Sequence, residues 1–288
     1  MNETTRRGLI EMQRNEITEY HIYTRLAKIL SKSPNAAILE AIGKDEKSHH
    51  DFIATHTGNQ AKPKRLKVLF FVVIARLLGP TFALKLMEQG EEGAQDIYDR
   101  LSGDFPEVES IIADEDEHED QLLNMLKEER LDYVGSIVLG LNDALVELTG
   151  ALAGLSFALQ NTRLIAMAGL ITGIAASFSM AASEYLSNRT EGESEKAVKS
   201  AVYTGIAYIL TVALLILPYL LFANYLICLA VTLGIAILII FFFNYYVAVA
   251  KDLDFWSRFL EMSALSLGVA AISFGVGVLV RSTMGIEI

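Results

Sequence analysis

Two short motifs repeat the same pair of donors, Glu46-Lys47-Ser48-His49 and Glu115-Asp116-Glu117-His118. Glu and His three residues apart leave a helix from one face. Carboxylate oxygen beside imidazole nitrogen suits Fe or Mn. Two Glu-x-x-His motifs on two helices, completed by glutamates from two more, make the dimetal carboxylate pattern of a helical bundle. Glu16 on one side and Glu88 with Glu91 on another can complete it, so the candidate metal ligands are Glu16, Glu46, His49, Glu88, Glu91, Glu115 and His118. Glu92 falls within about one turn of Glu88 and Glu91, and the third-helix ligand is open among the three. A second group lies in apolar surroundings: Asn142, Asp143 and Glu147 in one long stretch, Met180 and Glu184 in the next. An acid at membrane depth costs at least ~2.5 kcal/mol unless it faces a polar cavity or a cation. Asp143 and Glu147 are four apart, as are Met180 and Glu184, so each pair shares a helical face, and two carboxylates and a thioether are expected to converge where the stretches meet. The bland alternative has Glu147 and Glu184 snorkelling to the interfaces and Met180 as packing.

The elements that must hold these residues follow from periodicity. Apolar residues at helical spacing, split by Ser33-Pro34, by His56-Thr57-Gly58-Asn59 and by Ser102-Gly103-Asp104-Phe105-Pro106, predict helices over 4–31, 35–56, 80–101 and 105–130. That is a four-helix bundle, and antiparallel packing across its turns brings Glu16, Glu46, Glu91 and Glu115 to similar heights. Asp96, Asp99, Glu107, Glu109 and Glu119 read as solvated faces, Glu19 as surface, and His21, His50 and His56 as polar or exposed residues. Near Asp132 the composition changes: residues 1–132 hold 25 of the 35 acids, 17 of the 24 bases and all five histidines. The expected domains are therefore 1–131, acidic and soluble, and 132–288, embedded in lipid. Five stretches in the second, roughly 134–159, 164–187, 200–222, 225–250 and 259–280, are long enough to span, and the fold class is all-α throughout. Lys127, Arg130, Arg189, Lys196, Lys199, Lys251 and Arg258 gather on one set of flanks, against Arg163 and Arg281 on the other. The positive-inside rule then puts the N-terminal domain in the cytosol and the C-terminus outside, with the plasma membrane as the expected location.

Other features bound the answer. Met1 to Arg7 runs straight into an amphipathic pattern with no apolar targeting region. Cys228 is the only cysteine, so disulfides, zinc ribbons and rubredoxin-type iron sites are excluded. Nucleic acid is not an expected partner of a chain with a net charge of −11. Residues 66–78 fit neither half, being apolar on every side yet far below spanning length. They read as lying on the inner membrane surface or in a dimer interface, with Pro80 restarting a helix.

Val138-Leu139-Gly140-Leu141-Asn142-Asp143-Ala144-Leu145-Val146, then Leu152-Ala153-Gly154-Leu155, and Ser179-Met180-Ala181-Ala182-Ser183-Glu184-Tyr185-Leu186-Ser187 resemble the first two spans of the vacuolar iron transporter family. The resemblance covers residues 133–288. It implies export of Fe²⁺ or Mn²⁺ from the cytosol in exchange for protons, by a homodimer with Asp143 and Met180 as ligands on the metal path. Plant-like members carry an acid where this chain has Ser136 and Thr172, which leaves metal preference and proton coupling open. Residues 1–130 resemble the erythrin branch of the ferritin-like superfamily, which implies a di-iron, or manganese, centre in the bundle. The expectation is a proton-coupled exporter, with no catalytic residue assigned, whose cytosolic domain captures, senses or oxidises iron. The alternative is a ferritin-like ferroxidase or peroxidase that the five helices merely anchor. An anchor needs one span and no buried acid, so Asp143 weighs against it. A sensor that signals without transport is a third possibility, but no output domain is recognisable.

Overall fold

The computed structural model describes residues 3–88, 108–125, 133–251 and 253–284. It is all-α among these residues and divides into two compact units, Met1–Glu128 and Glu129–Ile288.

In the first unit α1 spans Glu3–Ile29, α2 Asn35–Thr57 and α3 Arg65–Leu78; residues 80–88 are helical and form α4, and α5 spans Glu109–Met125. The buried positions explain why these segments are helices that pack. Leu9, Met12, Glu16, Glu19, Tyr23 and Leu26 recur at alternating steps of three and four along α1. Leu39, Ile42, Glu46, His49 and Ile53 do the same along α2, and Val108, Ile111, His118 and Leu122 fit it in α5. Each stripe is apolar at both ends and polar in the middle. One apolar cluster joins Leu9 and Met12 of α1, Ile53 of α2, and Val108 with Ile111 of α5. The other joins Ile22 and Leu26 of α1, Leu39 and Ile42 of α2, Met87 of α4 and Leu122 of α5. The order of these residues along each chain makes α1 and α5 parallel and α2 antiparallel to both, with the glutamates and histidines held between two apolar plugs. Burial of each large aliphatic side chain in the plugs contributes about 1.5–3 kcal/mol. That offsets the cost of desolvating the acids between them.

The connection from α2 to α4 is a crossover that contains α3. Gly58 ends α2 in a left-handed conformation (φ 64°), its N–H bonded to the Ala54 carbonyl, which a glycine adopts without a Cβ clash. Residues 66–78 are apolar all round because α3 has two apolar faces: Val68, Phe71, Val72 and Ala75 enter the bundle core, while Leu66, Leu69, Phe70, Val73 and Leu77 are exposed. Pro80 begins α4, as expected.

Among the described residues the second unit has five helices long and apolar enough to cross a membrane: α6 Val134–Leu159, α7 Thr162–Thr190, α8 Ser194–Leu221, α9 Tyr225–Lys251 and α10 Phe255–Met284. The chain is an integral membrane protein with the five expected spans. Asn161 caps α7 by accepting from the N–H groups of Arg163 and Leu164, and Asn224 caps α9 by accepting from Leu226 and Ile227. In lipid no water repairs a poor fit, so small residues and interhelical hydrogen bonds do the joining. A Cβ on Gly140 of α6 would stand 2.5 Å from the Thr204 carbonyl oxygen of α8, and one on Gly154 would stand 2.9 Å from the Ser273 carbonyl oxygen of α10. Nearby, Thr204 Oγ1 donates to the Ser136 carbonyl at 3.0 Å and Ser266 Oγ to the Leu145 carbonyl at 3.1 Å. The glycines of α6 thus admit α8 and α10.

Candidate functional site

The middle of the first unit gathers donors from three helices. Glu16 of α1, Glu46 and His49 of α2 and Glu115 of α5 each offer an atom within 4.8 Å of all the others. His118 of α5 completes the group, its Nδ1 3.4 Å from Glu46 Oε1 and 3.9 Å from Glu115 Oε2. His49 Nδ1 lies 3.4 Å from Glu16 Oε2 and 3.8 Å from Glu115 Oε1. The two imidazoles face one another with ring centroids 6.1 Å apart. Five of the seven expected ligands therefore come together. Glu88 is half-buried on α4, while Glu91 and Glu92 lie outside the described residues.

Each imidazole is held from behind. His49 Nε2 is 3.0 Å from Asp114 Oδ2, and His118 Nε2 is 3.4 Å from Asp45 Oδ2. The pairing is reciprocal: an aspartate of α5 orients the α2 histidine, and an aspartate of α2 orients the α5 histidine. A neutral ring that donates its Nε2–H outward would present the Nδ1 lone pair to the cluster, which is how an outer carboxylate prepares a histidine for a metal. Asp45 and Asp114 were not anticipated as site residues. The available signal was that an aspartate immediately precedes the glutamate in both motifs.

Electrostatics describe a site that lacks countercharge. Burial, then repulsion from Glu115 and Glu16, raises the Glu46 carboxyl well above its ordinary range. Burial also raises Glu115, although its contact with His118 opposes the shift. Burial pulls the His49 imidazole down, but Glu16, Asp114 and Glu115 outweigh it and raise it to about 9. His118 moves upward in the same way, with Glu115 and Asp45 overcoming desolvation. Protons thus serve as the countercharge here. Glu46 Oε2, Glu115 Oε1, His49 Nδ1 and His118 Nδ1 are buried without a hydrogen bond of proper geometry. Buried polar atoms normally find partners, and four orphaned donors converging on one point fit a divalent cation. The cluster can hold a metal ion, and its oxygen and imidazole donors match Fe²⁺ or Mn²⁺.

Glu19 corrects an expectation. It is 5 % exposed rather than on the surface, because the step from Glu16 keeps it on the inward face and α3 crosses over it, with Lys67 Nζ 3.1 Å from Glu19 Oε1. Burial raises its carboxyl to about 7 against the opposing charge of Lys67. His50 is also buried, but its ring nitrogens are taken by Asp51 and the Ala61 carbonyl. His56 is exposed.

In the second unit, Asp143 is half-buried on α6, and Met180 of α7 is half-buried against the apolar core of the unit. Glu184 of α7 turns to α6, where Ser136 Oγ donates to it at 2.7 Å; Asn188 Nδ2 adds a second donor at 3.2 Å. Ser136 thus supplies a hydroxyl that holds an acid of the neighbouring span. Glu147, by contrast, turns to α8 and accepts from the Tyr208 hydroxyl at 2.8 Å. The pair sits at the wall of a cavity of about 520 Å³ whose lining also includes Thr172 and Ser273. Two acids of the candidate spanning helices are therefore positioned by hydroxyl donors.

No curated protein matches the chain. Residues 134–200, which comprise α6, α7 and the first residues of α8 and contain Asp143, Glu147, Met180 and Glu184, match the model of the VIT family, and this match speaks for a membrane metal-ion transporter.

Proposed function

We propose that this protein exports Fe²⁺ or Mn²⁺ from the cytosol in exchange for protons through its second unit, while the first unit holds a dimetal centre that captures, senses or oxidises iron. The observation that carries the reading is Asp143, an acid within an apolar spanning helix inside the segment that matches the VIT family. A carboxylate at that depth is stable when it neutralises a cation or carries a proton. Alternation between the two is the elementary act of an exchanger: binding of the ion displaces the proton, and protonation releases the ion. Met180 adds a thioether, a softer ligand that favours transition metals over Mg²⁺ and Ca²⁺. Tyr208 donates to Glu147 and Ser136 to Glu184, and these hydroxyls support the reading of both carboxylates as further acids of the transport domain.

In the first unit Glu16, Glu46, Glu115, His49 and His118 would hold the metal, with Glu88, Glu91 or Glu92 as further ligands. A bound iron pair would supply one-electron redox chemistry. The protein's own part is to keep Nδ1 of both histidines aimed inward through Asp114 and Asp45, and to exclude bulk water with the two apolar plugs.

The decisive experiment replaces Asp143 by Asn, which preserves size and hydrogen bonding and removes the charge. In sealed vesicles, Asp143→Asn should abolish Fe²⁺ or Mn²⁺ flux driven by a pH gradient while leaving the metal content of the first unit at the parental level. Flux equal to the parent from correctly inserted Asp143→Asn protein would leave the anchored oxidase as the better reading.

A further inference from the structure

The exposed side of α3 is a surface with a chemistry of its own. Leu66, the adjacent pair Leu69 and Phe70, Val73 and Leu77 recur at three- and four-residue steps and form a continuous apolar stripe; Leu66 is 83 % and Leu77 72 % exposed. The opposite face is already used in the bundle core. Among the described residues the core of the unit does not use this second apolar face, and solvated helices ordinarily present polar residues there. The charges around the stripe are of one sign. From Ala61 to Thr81 the chain holds Lys62, Lys64, Arg65, Lys67 and Arg76 and no acid, within a protein of net charge −11. Lys62, Lys64, Arg65 and Arg76 are exposed, and Arg65 with Arg76 borders one edge of the stripe.

We propose that this face of α3 lies on the anionic surface of the membrane in which the chain is embedded. An apolar stripe rimmed by Lys and Arg matches the boundary between headgroups and acyl chains, where side chains such as Leu and Phe enter the hydrocarbon and cations meet phosphates. The same charge pattern argues against a second copy of the chain. A two-fold interface presents a patch to itself, and this one would set cations against cations with no acid to answer them. The helix has 14 residues, about two thirds of a spanning length, and would hold its place by resting on the bilayer rather than crossing it. This inference is independent of which metal the protein handles.

The test uses the full chain in nanodiscs, with Cys228→Ser as background and a nitroxide on Leu69→Cys or, as an aqueous control in the same unit, on exposed Glu40→Cys. In discs containing about one third phosphatidylserine, the label at 69 should collide with oxygen several-fold more than with a water-soluble nickel complex, and the label at 40 should show the reverse. Reversing the charges with K62E, R65E and R76E, or using phosphatidylcholine alone, should return the label at 69 toward the aqueous value. A label at 69 as aqueous as that at 40 in the anionic discs would overturn the proposal. Strong spin–spin broadening at 69 with low oxygen collision would overturn it in favour of a second copy. Lipid burial indifferent to both charge reversal and headgroup would overturn the anionic recognition.

Discussion

His49 and His118 show how much of a metal site lies outside its ligands. Each ring uses one nitrogen on an aspartate across the helix pair and leaves the other for the cluster. Removing the aspartate leaves the ligand in place but frees its tautomer and ring angle. Asp114→Asn should therefore lower metal affinity of the purified protein about 10–100-fold, whereas Glu46→Ala should remove the metal altogether. Titration with Mn²⁺ followed by elemental analysis separates the two, and equal affinity in Asp114→Asn and parent would refute the positioning role. The protons held by the metal-free cluster give a second expectation. Glu19 at about 7 and His49 at about 9 lie above their ordinary values of 4.5 and 6.5, and Glu46, Glu115 and His118 move the same way. The folded unit thus binds more protons than the unfolded chain. Its stability is then greatest at low pH and falls as pH rises through about 7 and on through about 9. In chelator, the first unit should melt at a lower temperature at pH 9 than at pH 6, and a divalent ion should recover more of the loss at pH 9. A melting temperature that climbs over that range in chelator would contradict the assignment. The clustering of Glu46, His49, Glu115 and His118 was legible in the sequence because Glu-x-x-His fixes a helical face. Asp45 and Asp114 were not, since each lies more than half exposed beside a ligand and nothing in the spacing alone distinguishes an orienting acid from a solvated one.

Helices in this protein meet through what their residues lack as much as through what they carry. Gly140 lets the Thr204 backbone of α8 approach α6, and no rotamer change can relieve a clash with a carbonyl oxygen. Gly140→Val should cost on the order of 1–3 kcal/mol or more by overpacking, and should lower the yield of folded protein in detergent. Gly135→Ala, where an added Cβ meets nothing within 4 Å, serves as the matched control. Equal yields and melting temperatures for the two variants would show that the close approach is dispensable. The spans were readable from length and apolarity, and α2 was readable to within one residue at its C-terminal end. The partners were not. Small residues in α6 announce that some helix comes close, but periodicity is silent on which one, and α8 and α10 both take such places. Residues 66–78 stayed ambiguous for a related reason. An all-round apolar helix of fourteen residues is compatible with several burial patterns, and only the packed bundle reveals that one face is spoken for.

At the scale of the whole molecule we propose that all five candidate spans cross, which would put the two termini on opposite sides of the membrane, and that the bias of Lys and Arg places the first unit in the cytosol. Tags at either end of the protein in intact cells should show an N-terminal tag protected from external protease and a C-terminal tag cleaved. Both tags on one side would mean that one of the five helices does not cross. The ion pair between Lys67 and Glu19 bears on how such a molecule can work as one. Lys67 belongs to the helix with the exposed face, and Glu19 shares a buried helical stripe with Glu16, so the outer helix and the inner carboxylates act on one another electrostatically. Such coupling is reciprocal by thermodynamic necessity. Whatever displaces α3 changes how tightly the carboxylates hold a cation, and a cation among the carboxylates changes where α3 prefers to rest. A cation taken up inside the bundle would in this way be written on its outside by a single lysine.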